Sequence, residues 1–336
     1  NHTPNAWTDW AFEQRRQYMR NTVFLNRGDQ TFAELGRFSG LAATEWTWNC
    51  LWLDVDRDGA EDLLVTNGHP HDSLDSDWTG KIGAVTAKDS NARLRLPSLD
   101  TPNLAFRNQG ELRFIEAGAA WGFDAVTHGQ GVAMGDLDRD GDQDIVVNAL
   151  NSSLELYENI GSGNLIAVQL MDSDSGRTVY GSKITLSNGK TSQIRELRSG
   201  GRYLSGDDLG VTFGTGDTVG PYELQVRWPD GETSIVPQIE SNMSIKISRG
   251  LREEFDISTP DVARDGGIGP GRENQPFFED VSAGLNAVHG DQPFDDSKIQ
   301  PMLTQQLSGL AMGLGWFDVD DNGWDDLVVG GGNKGR

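Results

Sequence analysis

Aspartate residues recur at a fixed spacing in three short segments, and carboxylate oxygens at such a spacing can enclose a metal ion. The segments read DVDRDGAEDLLV from Asp54, DLDRDGDQDIVV from Asp136 and DVDDNGWDDLVV from Asp318, and we call them acidic loops 1, 2 and 3. Side-chain oxygens at positions one, three, five and nine, with the backbone carbonyl at position seven, suit a hard cation. These positions are Asp54, Asp56, Asp58, Ala60 and Asp62 in loop 1; Asp136, Asp138, Asp140, Asp142 and Asp144 in loop 2; and Asp318, Asp320, Asn322, Trp324 and Asp326 in loop 3.

The chemistry of the loops favours calcium over the alternatives. Aspartate and glycine also form ordinary turns, but the carboxylates of one such turn repel one another unless a cation neutralises them. An EF-hand needs a glutamate at position twelve inside a helix, whereas Val65, Val147 and Val329 stand there in β-branched runs that favour a strand. Magnesium suits a flexible loop with a carbonyl ligand less well, and zinc prefers nitrogen and sulfur. We therefore predict calcium, Ca²⁺, in each loop.

The segments that precede loops 1 and 2 repeat each other. TVFLNRGDQTFAELGRFSGLA and LAFRNQGELRFIEAGAAWGFD place the same Phe, Asn and Gly residues at the interval that separates Asp54 from Asp136. Short apolar runs around an Asn-x-Gly turn predict antiparallel hairpins. The interval exceeds the length of one propeller blade, so we assign the surplus to an exposed loop over residues 68–102. Trp46, Trp48 and Trp52 alternate and are predicted to fill a core.

Composition excludes some classes of partner. The formal net charge of −23 argues against nucleic acid and anionic membranes, because like charges repel. No apolar run is long enough for a membrane span, and the single cysteine, Cys50, cannot form an internal disulfide. Near the N-terminus, Thr8 and the arginines that follow it predict a short helix.

Taken together, the hairpins, the acidic loops and the apolar runs after them resemble FG-GAP/VCBS repeats, the calcium-binding blades of integrin-α-type β-propellers. The resemblance covers roughly residues 20–160 and again 277–336. It implies calcium ligation at the aspartates of the three loops, with calcium in a structural role.

The middle of the chain resembles a second family. NLIAVQL, YGSKITLSNGK, RELRSGGRYLSGDD, FGTG and VRWPDG, which begin at Asn164, Tyr180, Arg195, Phe213 and Val226, are similar to the ASPIC/UnbV domain. That domain follows FG-GAP repeats in the cartilage acidic protein family and in secreted bacterial proteins. Alternating apolar residues here, as in Ile166, Val168 and Leu170, predict half-buried strands.

The sequence thus predicts an all-β protein of FG-GAP β-propeller-type blades with a small β-rich ASPIC/UnbV domain. The predicted parts are a helical lead-in over 1–20, two FG-GAP/VCBS blades over 21–162, an ASPIC/UnbV-like domain over 163–249, a linker over 250–276, and an incomplete further FG-GAP/VCBS unit over 277–336. Whether that unit closes the first set of blades or begins a second propeller is left open by the sequence.

We expect a secreted or cell-surface protein that binds a protein or carbohydrate ligand at the cell surface or in the matrix, with calcium structural and no enzymatic activity. Asn1, Asn151 and Asn242 begin glycosylation sequons, which matter only in a secreted chain. Self-assembly into a matrix or fibre by strand pairing is one alternative. A carbohydrate-active enzyme that uses paired aspartates is another.

Overall fold

The computed structural model confirms the all-β class and arranges the strands in two-stranded and four-stranded sheets, whose pairs are antiparallel except for one parallel pair in the described residues. The residues that the structure describes are 20–72, 75, 77–78, 96–172, 178–208, 210–248, 251–256, 276–285, 313–317, 319 and 326–330. The predicted N-terminal helix, most of the exposed loop over 68–102 and most of acidic loop 3 lie outside these residues.

The first complete sheet, sheet I, contains four antiparallel strands in chain order. They are β3 (Thr47–Leu53), β4 (Asp62–Asn67), β6 (Leu104–Asn108) and β7 (Phe114–Glu116). Acidic loop 1 connects β3 to β4, and the short turn after Asn108 connects β6 to β7. A four-stranded antiparallel meander is the form of a propeller blade; the propeller itself stays a prediction.

The second complete sheet, sheet II, has the same order but takes its last strand from far along the chain. Its strands are β9 (Gly129–Gly135), β10 (Asp144–Ala149), β11 (Glu155–Asn159) and β20 (Phe278–Asp280). Acidic loop 2 connects β9 to β10. The strand that opens the predicted third unit over 277–336 therefore completes sheet II.

Two-stranded hairpins flank the two sheets. The first is β1 (Phe24–Asn26) with β2 (Phe32–Glu34), and the second is β21 (Leu314–Phe317) with β22 (Asp326–Val329). Val23 beside β1 packs on the core of sheet I around Leu63 and Phe106, whereas Leu314 of β21 packs on Val146 of sheet II. The first hairpin, sheet I, sheet II and the second hairpin thus lie beside one another in the order in which they begin in the chain.

Short elements join these layers. A small ladder pairs β5 (Thr101–Pro102) with β8 (Val126–Thr127). Helices α1 (Gly36–Ser39) and α2 (Gly118–Trp121) follow β2 and β7, and a 3-10 turn at Ser282–Gly284 follows β20. Helices α1 and α2 each end at a glycine with positive φ, the left-handed conformation that glycine adopts without strain.

A separate β domain, which we call the inserted domain, lies between β11 and β20 in the chain. One of its sheets has the order β15 (Gly210–Gly216), β12 (Asn164–Met171), β18 (Met243–Ser248) and β19 (Leu251–Asp256), with β12 and β18 parallel. The other has the order β14 (Ser192–Glu196), β13 (Lys183–Ser187), β16 (Tyr222–Arg227) and β17 (Thr233–Ile239). The sequence predicts a linker over 250–276, and this prediction is wrong at its start, because β19 pairs with β18.

The inserted domain and the pair of sheets I and II have separate apolar cores. The inserted domain packs Ile166, Phe213 and Trp228 with other residues of its own strands. Sheets I and II share a second core that includes Leu51 and Tyr157. The predicted core role of the three alternating tryptophans is wrong for Trp52, which is 41% exposed, because β3 turns Asn49, Leu51 and Leu53 inward instead.

Candidate metal centre

Acidic loops 1 and 2 have the same backbone conformation. Position four is left-handed in both, with φ of 58° at Arg57 and 66° at Arg139. Position six is glycine in both, with φ of 94° at Gly59 and 91° at Gly141. Two left-handed residues so close together fold the loop back on itself, and this turn brings the alternating aspartates to one side.

The first aspartate of each loop closes the turn through a hydrogen bond. The backbone N–H of Gly59 donates to Asp54 Oδ2 at 2.9 Å, and that of Gly141 donates to Asp136 Oδ2 at 3.1 Å. Each of these carboxylates therefore has one oxygen tied to the loop and a second oxygen, Oδ1, directed elsewhere.

The aspartate at position nine braces the loop against the neighbouring strand. Asp62 accepts hydrogen bonds from the backbone N–H groups of Val55 at 3.0 Å and Asn108 at 2.8 Å. Asp144 accepts the equivalent bonds from Leu137 and Asn159, both at 2.8 Å. These bonds join the start of the loop, the strand after it and the following hairpin.

In each of loops 1 and 2, three of the four predicted carboxylates come together, and the loops differ in which three. In loop 1, oxygens of Asp54, Asp56 and Asp58 all lie within 4.8 Å of one another. In loop 2 the equivalent group is Asp136, Asp138 and Asp144. Positions one and three are common to both groups, position five joins only in loop 1, and position nine joins only in loop 2.

Buried carboxylate oxygens without hydrogen-bond partners are the strongest sign of a cation site. Asp54 is only 8% exposed, and its Oδ1 has no partner. The buried Oδ1 atoms of Asp56 and Asp136 also lack a partner. Leaving a charged oxygen buried and unpaired is costly, and a hard cation with oxygen ligands relieves that cost. The residues present thus fit calcium.

The electrostatics of the loops agree with this fit. Burial and, to a smaller extent, the nearby carboxylates together raise the pKa of Asp54 and of Asp136 to about 7. Burial likewise raises the pKa of Asp62 and of Asp144 to about 8, against the effect of their backbone hydrogen bonds. A bound dication would reverse these shifts, because it stabilises the ionised carboxylates.

The side chains at positions five and seven of loop 2 lie beside an arginine of loop 1 instead of in the carboxylate group, and the sequence did not predict this contact. The sequence predicts a metal ligand only in the backbone carbonyl of Asp142, but the side chain of Asp142 is buried and accepts a hydrogen bond from Arg57 of loop 1. Arg57 Nη2 also lies 3.9 Å from Asp140 Oδ2. Burial raises the pKa of Asp142, and the guanidinium of Arg57 counteracts this.

Acidic loop 3 shows one contact of the same kind. The backbone N–H of Val319 donates to Asp326 Oδ2 at 3.0 Å, as Val55 does to Asp62 in loop 1. Asp318, Asp320, Asn322 and Trp324 lie outside the described residues. Their predicted part in a third calcium site therefore stays a prediction.

The inserted domain lies directly on loops 1 and 2. The backbone N–H of Gly216 on β15 donates to the carbonyl of Arg57 at 2.8 Å, and Thr212 Oγ1 on the same strand donates to the carbonyl of Gly141 at 3.1 Å. Gly214 lies between these contacts, against Asp54 and Arg57. One strand therefore touches both loops.

This architecture defines a protein of repeated four-stranded sheets with acidic loops and an inserted β domain, and family comparisons identify both parts. Residues 7–65 match the family model of the FG-GAP-like repeat, and residues 172–254 match that of ASPIC and UnbV. Both predicted resemblances are thus confirmed over the matched residues, one to an FG-GAP-like repeat and the other to an ASPIC/UnbV domain.

The individual proteins that match this chain either share only a short segment with it or have little similarity to it. The chain is 44% identical to human cartilage acidic protein 1 over 57 residues, which are 17% of this chain and 9% of that protein. A crystal structure described as a proposed cell adhesion protein of Bacteroides uniformis ATCC 8492 aligns over 71% of this chain and 98% of that chain, at 10% identity. Its TM-score of 0.19 is too low to relate the two folds.

Among the residues that the structure describes, none forms a helix with the length and apolarity needed to cross a bilayer.

Proposed function

We propose that the chain is a calcium-stabilised binding or adhesion module of an extracellular protein. The observation that carries the proposal is the pair of equivalent loops in which buried aspartate oxygens, such as Asp54 Oδ1 and Asp136 Oδ1, have no hydrogen-bond partner. Calcium would satisfy these oxygens and hold each loop against the strand that follows. Extracellular calcium modules bind in the range of roughly 10⁻⁴ to 10⁻³ M, and an affinity in this range is expected for a secreted or cell-surface chain.

Thermal unfolding tests the calcium part of the proposal. Because calcium binds the folded chain, saturating calcium should raise the unfolding midpoint above that in chelator, and the increase should grow with calcium concentration. Magnesium at the same concentration is the control and should raise the midpoint less. An unchanged midpoint in calcium would refute the proposal.

We place the ligand of this module in the cleft between sheet I and the inserted domain. The cleft has a volume of about 440 Å³, and its wall includes Trp52 on sheet I and Ile194 on β14, both exposed. Arg195 and Arg198 are among its cations, and Glu61 and Glu196 are among its acids. Such a mixture of apolar and charged groups suits a protein or carbohydrate ligand.

Variants of the cleft separate binding from folding. Trp52→Ala and Ile194→Ser remove exposed apolar surface, so both should weaken adhesion of the purified chain to cells or matrix without changing its calcium-dependent midpoint. Val219→Ser, an exposed apolar position that does not line the cleft, is the matched control. Equal adhesion by all variants would place the ligand elsewhere.

Assembly through strand pairing is the second candidate function. Among the described residues, β1–β2 and β21–β22 are two-stranded sheets with exposed Phe24, Phe32 and Phe317, and incomplete sheets with apolar side chains tend to pair with further strands. Light scattering over a range of concentrations tests it: growing particles would support assembly, and a constant monomer mass would contradict it.

Catalysis by these aspartates is not part of the proposal. The position-nine aspartates, Asp62 and Asp144, already accept two backbone hydrogen bonds each. Candidate cation ligands account for most of the remaining aspartates, namely Asp54, Asp56, Asp58, Asp136 and Asp138. Release of reducing sugar from polysaccharides, lost on Asp54→Asn substitution, would overturn this view.

A further inference from the structure

Arg57 reaches from acidic loop 1 into acidic loop 2. It occupies position four of loop 1, and its Nη2 donates to Asp142 at position seven of loop 2. Its Nη1 donates to the carbonyl of Gly163, just before the inserted domain, at 3.2 Å. The side chains of Arg57 and Asp142 are only 9% and 3% exposed. The two loops are therefore joined by a buried ion pair.

The ion pair uses a carboxylate that the metal site does not need. At position seven only the backbone carbonyl is a predicted ligand, and loops 1 and 3 have Ala60 and Trp324 there. A buried carboxylate without a partner would be strongly destabilising. The side chain of Asp142 is thus matched to Arg57 rather than to the metal. Loop 2 offers a natural comparison, because Arg139 stands at the position equivalent to Arg57.

The same residue also connects loop 1 to the inserted domain. The Arg57 carbonyl accepts the hydrogen bond from Gly216, and the φ of Arg57 is left-handed. The conformation of loop 1 therefore fixes both ends of Arg57, its carbonyl toward β15 and its guanidinium toward loop 2. Since Asp56 and Asp58 flank Arg57 in the chain, a cation held by these carboxylates would restrict that conformation.

We infer that Arg57 couples the two acidic loops, so that calcium bound at loop 1 strengthens calcium binding at loop 2, and the reverse. A cation at loop 1 holds Arg57 in the conformation that pairs with Asp142, and this pair in turn holds loop 2 in its binding conformation. By linkage the effect is reciprocal. The inference rests on the proposed calcium binding and adds the dependence of one site on the other.

Calcium titration calorimetry on the full chain tests the coupling. An Asp318→Ala background disables predicted loop 3, so that only loops 1 and 2 titrate. The parent should bind two calcium ions with positive cooperativity. Arg57→Ala combined with Asp142→Ala removes both charges together, and it should lower the affinity of the second binding step by roughly fivefold or more. Arg139→Ala is the matched control and should keep the cooperativity.

A second measurement needs no metal. In chelator, Arg57→Ala alone leaves Asp142 buried without its cation and should lower the unfolding midpoint by roughly 10 °C. Adding Asp142→Ala should recover much of that loss, whereas adding it to Arg139→Ala should recover nothing. A midpoint that recovers only in the Arg57→Ala background supports the buried ion pair. If Asp142→Ala lowers the midpoint equally in the Arg57→Ala and Arg139→Ala backgrounds, the ion pair is contradicted.

The outcomes separate the two proposals. A parent that binds no calcium overturns both the proposed function and the coupling. If the parent binds two ions and the double variant binds them with the same affinities and cooperativity, the coupling is refuted while calcium binding stands. A double variant with two independent sites supports the coupling.

Discussion

Asn159 at the end of β11 pairs with Phe278 on β20, although the whole inserted domain lies between them in the chain. In sheet I, Asn108 and Phe114 form the equivalent pair across a short turn. Both asparagines accept a hydrogen bond from the glycine two residues later, Gly110 at 2.9 Å and Gly161 at 3.0 Å. The inserted domain thus replaces a hairpin turn without disturbing the strand register on either side.

This arrangement predicts that the inserted domain folds by itself. Its core consists entirely of its own residues, from Ile166 to Ile247. A fragment of residues 163–256 should therefore unfold cooperatively, with a midpoint that calcium does not change, because the fragment lacks the acidic loops. Near-UV circular dichroism during heating measures this. A fragment without tertiary signal, or with a calcium-dependent midpoint, would contradict the prediction.

The sequence revealed what repeats along the chain, and missed what depends on contacts between distant segments. The acidic loops, the Asn-x-Gly hairpins and the alternating strands of the inserted domain carry strong local patterns, so their structures follow from neighbouring residues. Strand β20 has only three residues and follows a long intervening domain, so no local pattern connects it to sheet II.

Two further differences have the same origin. The pairing of Arg57 with Asp142 joins two loops, and each loop has a full set of predicted metal ligands in its own sequence. One signal for the pairing was present, because only loop 2 has an acidic residue at position seven. In β3 both faces carry large side chains, so periodicity could not decide which one turns inward. Asn49 lies on the inner face because its side chain accepts a hydrogen bond from the backbone N–H of Tyr203 at 2.7 Å and donates one to the carbonyl of Gln130.

Gly214 on β15 should be required for docking of the inserted domain on loop 1. A Cβ atom there would collide with Asp54 Oδ2 and lie 2.7 Å from the backbone of Arg57. Gly214→Ala should therefore weaken calcium binding at loop 1 and lower the midpoint of the full chain. Gly210→Ala is the matched control on the same strand, because its Cβ would meet nothing closer than Gln169 at 4.0 Å. Equal calcium affinities for the two variants, measured by calorimetry, would contradict this account.

The aspartates at positions five and nine of loop 1 should differ in how much they contribute to the free energy of unfolding when no metal is bound. Asp62→Ala leaves the backbone N–H groups of Val55 and Asn108 without their acceptor, so it should reduce the free energy of unfolding by about 2–4 kcal/mol even in chelator. Asp58 is exposed, and Asp58→Ala should lose little stability in chelator but should reduce calcium affinity. Urea unfolding with and without calcium measures both effects. A similar loss for both variants in chelator would show that Asp62 has no bracing role.

Stability in chelator should fall as the pH rises. The pKa of Asp54 and of Asp136 is about 7 in the folded chain against an ordinary 3.8, and that of Asp62 and of Asp144 is about 8. A raised carboxyl pKa means that the folded state holds its proton more tightly than the unfolded state. The stabilisation is therefore complete below about pH 4, declines steadily as the pH rises, and is lost once the pH passes 7 to 8.

Urea unfolding at pH 5 and pH 8 measures this loss, at about 1.4 kcal/mol for each pKa unit of a single group. Calcium should remove most of it, because it binds the ionised carboxylates. Burial raises the pKa of Glu155 against the effect of its hydrogen bonds from Thr127, Tyr157 and Asn103, so Glu155 is expected to add a part of the loss that calcium does not remove. Glu155→Gln should eliminate that part alone. Stability that stays constant or rises between pH 5 and 8 in chelator would contradict the proposed electrostatics, since only tightly held protons make ionisation at high pH destabilising.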